Sequence, residues 1–205
     1  MVDVGRTSEQ QLLLGEWACL GILYPAPIHG FAIAAQLKPN GHVGRVWSLS
    51  RALTYRSLEQ LAIRGYIQPV GEEPGIAGGN RTILRATPTG RAELRKWLLS
   101  PAVHLRDLRS ELLLKLIVAE HCGINVRTML QRQRDHIAEM AEALATASDD
   151  PSTLDPSTLD PPTLDPAALD PAALDPAALD VVALWRDESS RAALRFLDRV
   201  LESVP

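Results

Sequence analysis

The sequence predicts a mainly α protein with a small β-hairpin wing, an N-terminal winged helix-turn-helix plus a C-terminal helical region. Three observations carry this. Four segments before residue 100 place apolar residues at helical spacing, and two β-rich runs joined by a glycine-rich turn separate the third from the fourth. Three further amphipathic stretches follow, after residue 107. Basic charge is concentrated at the front: residues 1–105 carry 11 Lys and Arg against 7 Asp and Glu. Residues 149–180 carry 8 aspartates and no base, so the overall net charge of -4 hides a basic N-terminal half.

The first helix is expected from Ser8 to Tyr24. Ser8 and Gln11 resemble a capping box, Leu12, Leu13, Trp17, Leu20 and Leu23 form the stripe, and Pro25 stops it. A short second helix runs from His29 to about Leu37, with Phe31, Ile33, Ala34 and Leu37 facing inward. Pro39-Asn40-Gly41 breaks it, and Val43 to Trp47 is compatible with a short strand. Ser50 opens a third helix that Gly65 closes, with Thr54, Leu58 and Leu61 in one narrow sector. Tyr66–Val70 and Arg81–Ala86 read as strands joined by GEEPGIAGGN. Thr87 caps a fourth helix with Pro88 at its first position, running to Trp97 or Leu99.

Beyond residue 100, Leu108–Cys122 carries Leu112, Leu113, Leu116 and Ile117 as a broad apolar face, and Gly123 ends it. A helix from about Asn125 to Ala147 follows, with Met129, Leu130, Ile137, Met140 and Leu144. The last runs from Val181 to Val204, with Leu184, Trp185, Leu194, Leu197 and Leu201. Between these two lies DPSTL, DPSTL, DPPTL, DPAAL, DPAAL, DPAAL and a decayed DVVAL. Leucines at steps of five walk around a helix instead of lining one face, and the recurring proline removes a backbone donor. This favours a linker over a short β-solenoid, which would bury too little core. The expected organisation is therefore a winged helix over 1–100, a helical dimerisation region over 101–148 and 181–205, and an inserted linker over 149–180.

With 46% hydrophobic and 22% charged residues the chain can bury a core, which excludes wholesale disorder. Two cysteines, Cys19 and Cys122, make no disulfide framework, so a reducing compartment is expected. The opening MVDVGRTSEQ lacks a basic region followed by an apolar run, and no stretch is long enough to span a membrane, so a cytoplasmic protein is expected. There is no Gly-rich phosphate loop, HExxH or G-x-S-x-G motif, and no nucleophile, base and orienting group can be nominated together. No enzyme, cofactor or metal is expected; His121, Cys122 and His136 match no standard site spacing.

The candidate chemistry lies on the third helix. Opposite its core sector stand Ala52, Arg56 and Glu59, with Tyr55 on the border. Helix-turn-helix proteins read base edges from the N-terminal part of such a helix, so duplex DNA is the expected partner. Arg56 can fork onto guanine O6 and N7, and Ala52 permits close approach or touches a thymine methyl. Tyr55 offers a hydroxyl to phosphate, Ser50 satisfies the helix start, and Arg51 sits near the DNA backbone. The wing adds Asn80 and Arg81 as phosphate or minor-groove contacts, although Glu72 and Glu73 oppose close contact at its base. The alternative is that these are ordinary solvated groups on a surface helix and a loop without a role.

GEWACLGILYPAPIHGFAIAAQL, LSRALTYRSLEQLAIRGYI and RATPTGRAELRKWL, in this order and spacing, closely resemble the PadR family of winged helix-turn-helix transcriptional regulators. The family-like features are HGF at 29–31, Leu53-Thr54-Tyr55 with Leu58 and Leu61, and TPTGR at 87–91. The likeness is strong over residues 11–99 and weaker beyond. It implies a homodimer on a pseudo-palindromic operator, usually acting as a repressor, with a helical C-terminal dimerisation region. It also implies that flat aromatic compounds bind near such helices, which makes Trp185 an effector-binding candidate. The pentapeptide insertion departs from the family pattern and leaves open whether the last helix packs on its own subunit or on its twin. The rival reading is a helical protein-interaction module that keeps a winged-helix core without binding DNA.

Overall fold

Helix α1, Leu14–Leu23, has nine of its ten residues buried and is the axis around which the N-terminal half is built. The computed structural model describes residues 12–74, 79–149 and 180–204. Two compact units are present, Met1–Leu130 and Gln131–Val204. The expected Ser8–Gln11 cap, the wing tip at 75–78, the repeat up to residue 179 and the side chain of Leu144 lie outside the described residues.

Within the described residues, α1 starts later than expected. Leu12 and Leu13 are not helical, and Leu13, assigned to the apolar stripe, is 71% exposed. The reason is local. The Glu16 carboxylate reaches back to accept from the Leu13 amide at 2.9 Å, so the helix supplies its own start from inside its first turn. Strand β1 is only Ile28–His29 and was not foreseen, because two residues are too few to show a period. It leads into α2, Gly30–Gln36, whose first turn is capped by His29 Nδ1 accepting from the Ala32 amide at 3.0 Å. Ile33, Ala34 and Leu37 are buried as expected; Phe31 is not, being 49% exposed.

Val43–Trp47 is a run of turns, not a strand. Backbone bonds from Arg45 to Gly41 and from Trp47 to Val43 consume donors that a strand would offer a neighbour. Trp47 is half-buried, and its buried Nε1 has no hydrogen-bond partner among the described residues. Helix α3, Arg51–Ile63, follows with Thr54, Leu58 and Leu61 buried, and Gly65 takes the left-handed φ of 70° that ends it. Strands β2, Ile67–Pro74, and β3, Asn80–Ala86, form the hairpin, registered from Ile67↔Ala86 to Pro74↔Asn80 with an irregularity between Pro69 and Gly71. β1 pairs with the free edge of β3, giving a three-stranded antiparallel sheet in the order β1-β3-β2.

Helix α4, Pro88–Leu98, shows why TPTG stands where it does. Thr87 Oγ1 accepts from the Gly90 amide at 3.1 Å and donates to the Gly65 carbonyl at 2.8 Å. Gly90 lies so close to the Tyr66 carbonyl that a β-carbon there would collide with it. This junction fastens the hairpin to the helices on either side. Trp97 of α4 stacks on Trp17 of α1 at 4.9 Å between ring centroids, which fills the centre of the first unit.

The first unit extends beyond α4. A 3₁₀ turn at Leu105–Asp107 and a π turn at Leu108–Leu112 precede α5, Leu113–Cys122. The π turn holds an extra residue and rotates the apolar face by one position. Leu112, Leu114, Ile117 and Val118 are buried, whereas the expected Leu113 and Leu116 are half-buried. α5 lies directly on α1: a β-carbon at Gly21 would stand 2.5 Å from Val118 Cγ1, and Cys122 Sγ donates to the Gly21 carbonyl at 3.4 Å. Lys115 is fully buried beneath the tryptophan pair.

Helix α6, Arg127–Asp149, begins with Asn125 Oδ1 accepting from the Arg127 amide. In the second unit α7, Val181–Ser203, is capped by Asp180, whose carboxylate accepts from Val182 and Ala183. Arg134 of α6 meets Asp198 of α7 at 2.6 Å. Ile137 and Leu197 are fully buried, while Leu184 and Trp185 are exposed.

Burial also sets an alkaline limit. It pushes the Cys19 thiol up to about 12, with the nearby Glu16 charge adding to the effect; unfolded, that thiol titrates near 9.0. The folded state therefore holds the proton more tightly, so this contribution is complete below 9.0 and is lost as pH rises toward 12. The native protein's urea midpoint relative to that of Cys19→Ala is therefore expected to fall as pH rises from about 9 to about 11.

Candidate nucleic-acid interface

The reading surface begins where α3 begins. Ser50 is extended, and its Oγ accepts from the Leu53 amide at 3.3 Å, which satisfies one orphan donor at the helix N-terminus. Ser50→Ala is expected to cost about 1 kcal/mol, measurable as a lowered urea midpoint. With Thr54, Leu58 and Leu61 turned inward, helical geometry sends the remaining side chains out. Arg51, Ala52, Tyr55, Arg56 and Glu59 are all exposed, the expected outward sector. Tyr55 is 43% exposed, enough to offer its hydroxyl while its ring stays packed against neighbours.

The hairpin brings a second group alongside. Arg81 lies on β3 and is half-buried, and Asn80 at the start of the strand is exposed. Asn80 Nδ2 donates to Glu72 Oε2 at 2.7 Å, across the hairpin. Glu73, the other acidic residue of the wing base, lies 3.2 Å from His29 Nε2. His29 thus accepts with Nδ1 at the start of α2 and faces a carboxylate with Nε2, an arrangement suited to the neutral ring protonated on Nε2. Both glutamates that opposed contact at the wing base are therefore engaged by neighbours.

Between α3 and the wing lies a cleft of about 730 Å³, with Phe31, Arg51, Tyr55, Glu59, Asn80 and Arg81 in its lining. Phe31 contributes an aromatic ring to its wall. The Arg51 guanidinium lies 5.7 Å from its ring centroid and 5.6 Å from that of Tyr55, and the Arg81 guanidinium lies 5.7 Å from Phe31. Arg51, Tyr55, Asn80 and Arg81 line this cleft, with Ser50 capping the helix and Ala52 exposed on it, whereas Arg56 lines a separate cleft on α3 with Leu13, Glu16, Trp47 and Leu49. Trp185 belongs to the second unit, where it is 73% exposed on α7.

Phe31 was assigned to the core by its hydrophobicity, and that assignment is corrected here. On a helical wheel, Ile33, Ala34 and Leu37 share a sector from which Phe31 stands well apart, so its outward direction was legible in the spacing. The neighbours it meets there come from distant parts of the chain and were not. Among the described residues, no three His, Cys, Asp or Glu side chains come together as metal ligands would. No described helix is long and apolar enough to cross a membrane.

No family model and no curated protein matches the chain. Among solved structures, it is similar to Bacillus subtilis PadR in complex with operator DNA at 16% identity and a TM-score of 0.41, covering 93% of this chain and 98% of that one. It is also similar to Bacillus subtilis PadR in complex with p-coumaric acid, at 16% identity and a TM-score of 0.39 over 95% and 97% of the two chains. A PadR-like transcriptional regulator from Bacillus cereus aligns at 18% identity and a TM-score of 0.37 over 97% and 99%.

Proposed function

We propose that this chain is a homodimeric, sequence-specific DNA-binding transcriptional regulator, acting as a repressor that a small aromatic effector releases. The observation that carries this reading is the outward face of α3. Ala52, Tyr55 and Arg56 are exposed near the start of a capped helix, and Arg81 of the wing shares a cleft with Tyr55. A helix fits the major groove, and a small residue next to an arginine and a hydroxyl is the chemistry of base and phosphate recognition there. In this reading Arg56 reads a guanine, Ala52 lets the helix approach, and Tyr55, Arg51, Asn80 and Arg81 hold backbone phosphates. The basic charge of residues 1–105 supports attraction to a polyanion.

The helical region over 101–148 and 181–205 is the proposed dimerisation region. α7 exposes Val181, Val182, Leu184, Trp185 and Phe196, an apolar surface suited to a second copy of the chain. Two-fold symmetry would then set two α3 helices about 34–36 Å apart, one turn of DNA. Trp185 is the proposed platform for the aromatic effector.

Footprinting on the DNA upstream of its own gene tests the reading, together with light scattering for oligomeric state. Protection of a pseudo-palindromic site by a dimer, with affinity falling steeply as salt rises, is the expected result. A monomer indifferent to duplexes at modest salt would overturn it and leave the protein-interaction reading in its place.

A further inference from the structure

We infer that Phe31 is a positioning residue that binds the wing to the start of α3, holding Arg51 and Arg81 as one clamp for a single DNA phosphate. The inference rests on the proposed DNA-binding function and adds to it a residue that makes no base contact of its own. Three observations carry it. Phe31 leaves half of a phenyl ring in solvent, on a helix whose other large apolar residues are buried. Two guanidiniums from separate elements, one on α3 and one on β3, lie at the same 5.7 Å from that ring. Among the described residues, neither guanidinium is engaged by a carboxylate, although Glu72, Glu73 and Glu59 are all near the cleft.

Two guanidiniums each 5.7 Å from one ring centroid lie no more than about 11 Å apart, and like charges at such range repel unless something offsets them. A phenyl face attracts a guanidinium through its quadrupole, and Tyr55 adds a second ring for Arg51. An aromatic ring satisfies the cation without consuming its donors, whereas a carboxylate would occupy them. Both forks therefore remain available to an anion entering the cleft between helix and wing. Glu73, directly opposite Arg81 in the hairpin register, is held by His29 and Glu72 by Asn80, which leaves Glu59, farther along α3, as the acidic group of the cleft lining itself. A phosphate oxygen set against two guanidiniums gains charge-assisted bonds from both and fixes the wing relative to α3. A flexible aliphatic at position 31 would fill similar space without holding either charge.

The test uses the full chain and a fluorescein-labelled mixed-sequence duplex of about 30 base pairs, roughly three turns. Affinity is followed by anisotropy over a potassium chloride series for the native protein, Phe31→Leu, Phe31→Tyr, Arg51→Gln, Arg81→Gln and the double glutamine variant. One phosphate neutralised contributes about 0.9 to the slope of log affinity against log salt. If the two arginines share one phosphate, each single variant leaves the other to neutralise it and changes the slope by well under about 0.9 per engaged subunit, whereas the double variant lowers it by about 0.9. Phe31→Leu reproduces that loss and Phe31→Tyr restores the native slope. Additive losses in the double variant overturn the shared clamp, and an unchanged slope in Phe31→Leu overturns the role of the ring. If Phe31→Leu does not fold, as read by circular dichroism, the arginine series alone decides. A native protein that binds no duplex refutes the proposed function itself, a result distinct from native binding with an insensitive Phe31.

Discussion

Replacing Glu111 with alanine is expected to destabilise the protein by roughly 3 kcal/mol, more than any surface substitution would. Glu111 Oε1 lies 2.6 Å from Lys115 Nζ, one turn away at the junction of the π turn and α5. Lys115 is the largest charged side chain in the core, with no measurable exposure. Its ammonium also donates to the Ser100 carbonyl at 2.6 Å and sits 5.1 Å from the Trp97 ring. Carboxylate, carbonyl and ring between them meet its three donors. Removing the carboxylate leaves a cation buried beneath the Trp17–Trp97 stack, compensated only by a carbonyl and a ring face. Lys115→Met removes the buried charge and leaves Glu111 a partly exposed carboxylate that water can solvate. It is expected to cost less, and urea unfolding of the two variants gives the order directly. If Glu111→Ala proves the milder change, the ion pair is not what retains the lysine.

The same site has a pH signature. Burial outweighs the Glu111 partnership and holds the Lys115 ammonium below its ordinary value of 10.5. The folded state thus sheds this proton before the unfolded chain does, so the Lys115 contribution to stability rises with pH up to 10.5. The sign is opposite to that of Cys19. Comparing native protein with Lys115→Met across the alkaline range separates the two, because only the lysine's rising contribution disappears in the variant.

Arg56→Ala is expected to relax base preference at one position per half-site by about 1–3 kcal/mol, roughly 5- to 150-fold, with little change in thermal stability. Arg56 is exposed on α3 and has no carboxylate partner among the described residues. Its truncation removes no packing from the core, which confines the effect to recognition. Competition between the footprinted site and single-base variants of it provides the measurement. A uniform loss across all competitors would assign Arg56 to phosphate instead. That result would leave Ala52 and Tyr55 as the remaining candidates for base contact.

Much of the first unit was legible because its signals are local. Ser50, Thr87 with Pro88, Gly65 and Gly123 each mark a helix boundary through the geometry of one or two residues, and each stands at the boundary expected. The period of Thr54, Leu58 and Leu61 set the outward face of α3 without knowledge of any neighbour. The failures have equally specific causes. Val43–Trp47 has β-branched residues, but its amide donors at Arg45 and Trp47 are spent on the local carbonyls of Gly41 and Val43. The face of α5 was displaced because a π turn is not announced by composition. Lys115 was passed over because a lysine between leucines reads as a solvated residue. Glu111, the Ser100 carbonyl and the Trp97 ring together make its burial tolerable.

Sequence alone determined the order of the principal helices and of the wing hairpin, the caps of α3 and α4, the outward sector of α3 and the separation of charge between the halves of the chain. These depend on backbone preferences and on periods that act over a few residues. Tertiary structure alone decided that Phe31 meets Arg51 and Arg81, that His29 joins α2 to the wing through Glu73, and that Lys115 lies on the Trp97 ring. Each of those arrangements joins residues far apart in the chain, and their attraction exists only once folding has paid the entropy of bringing them together.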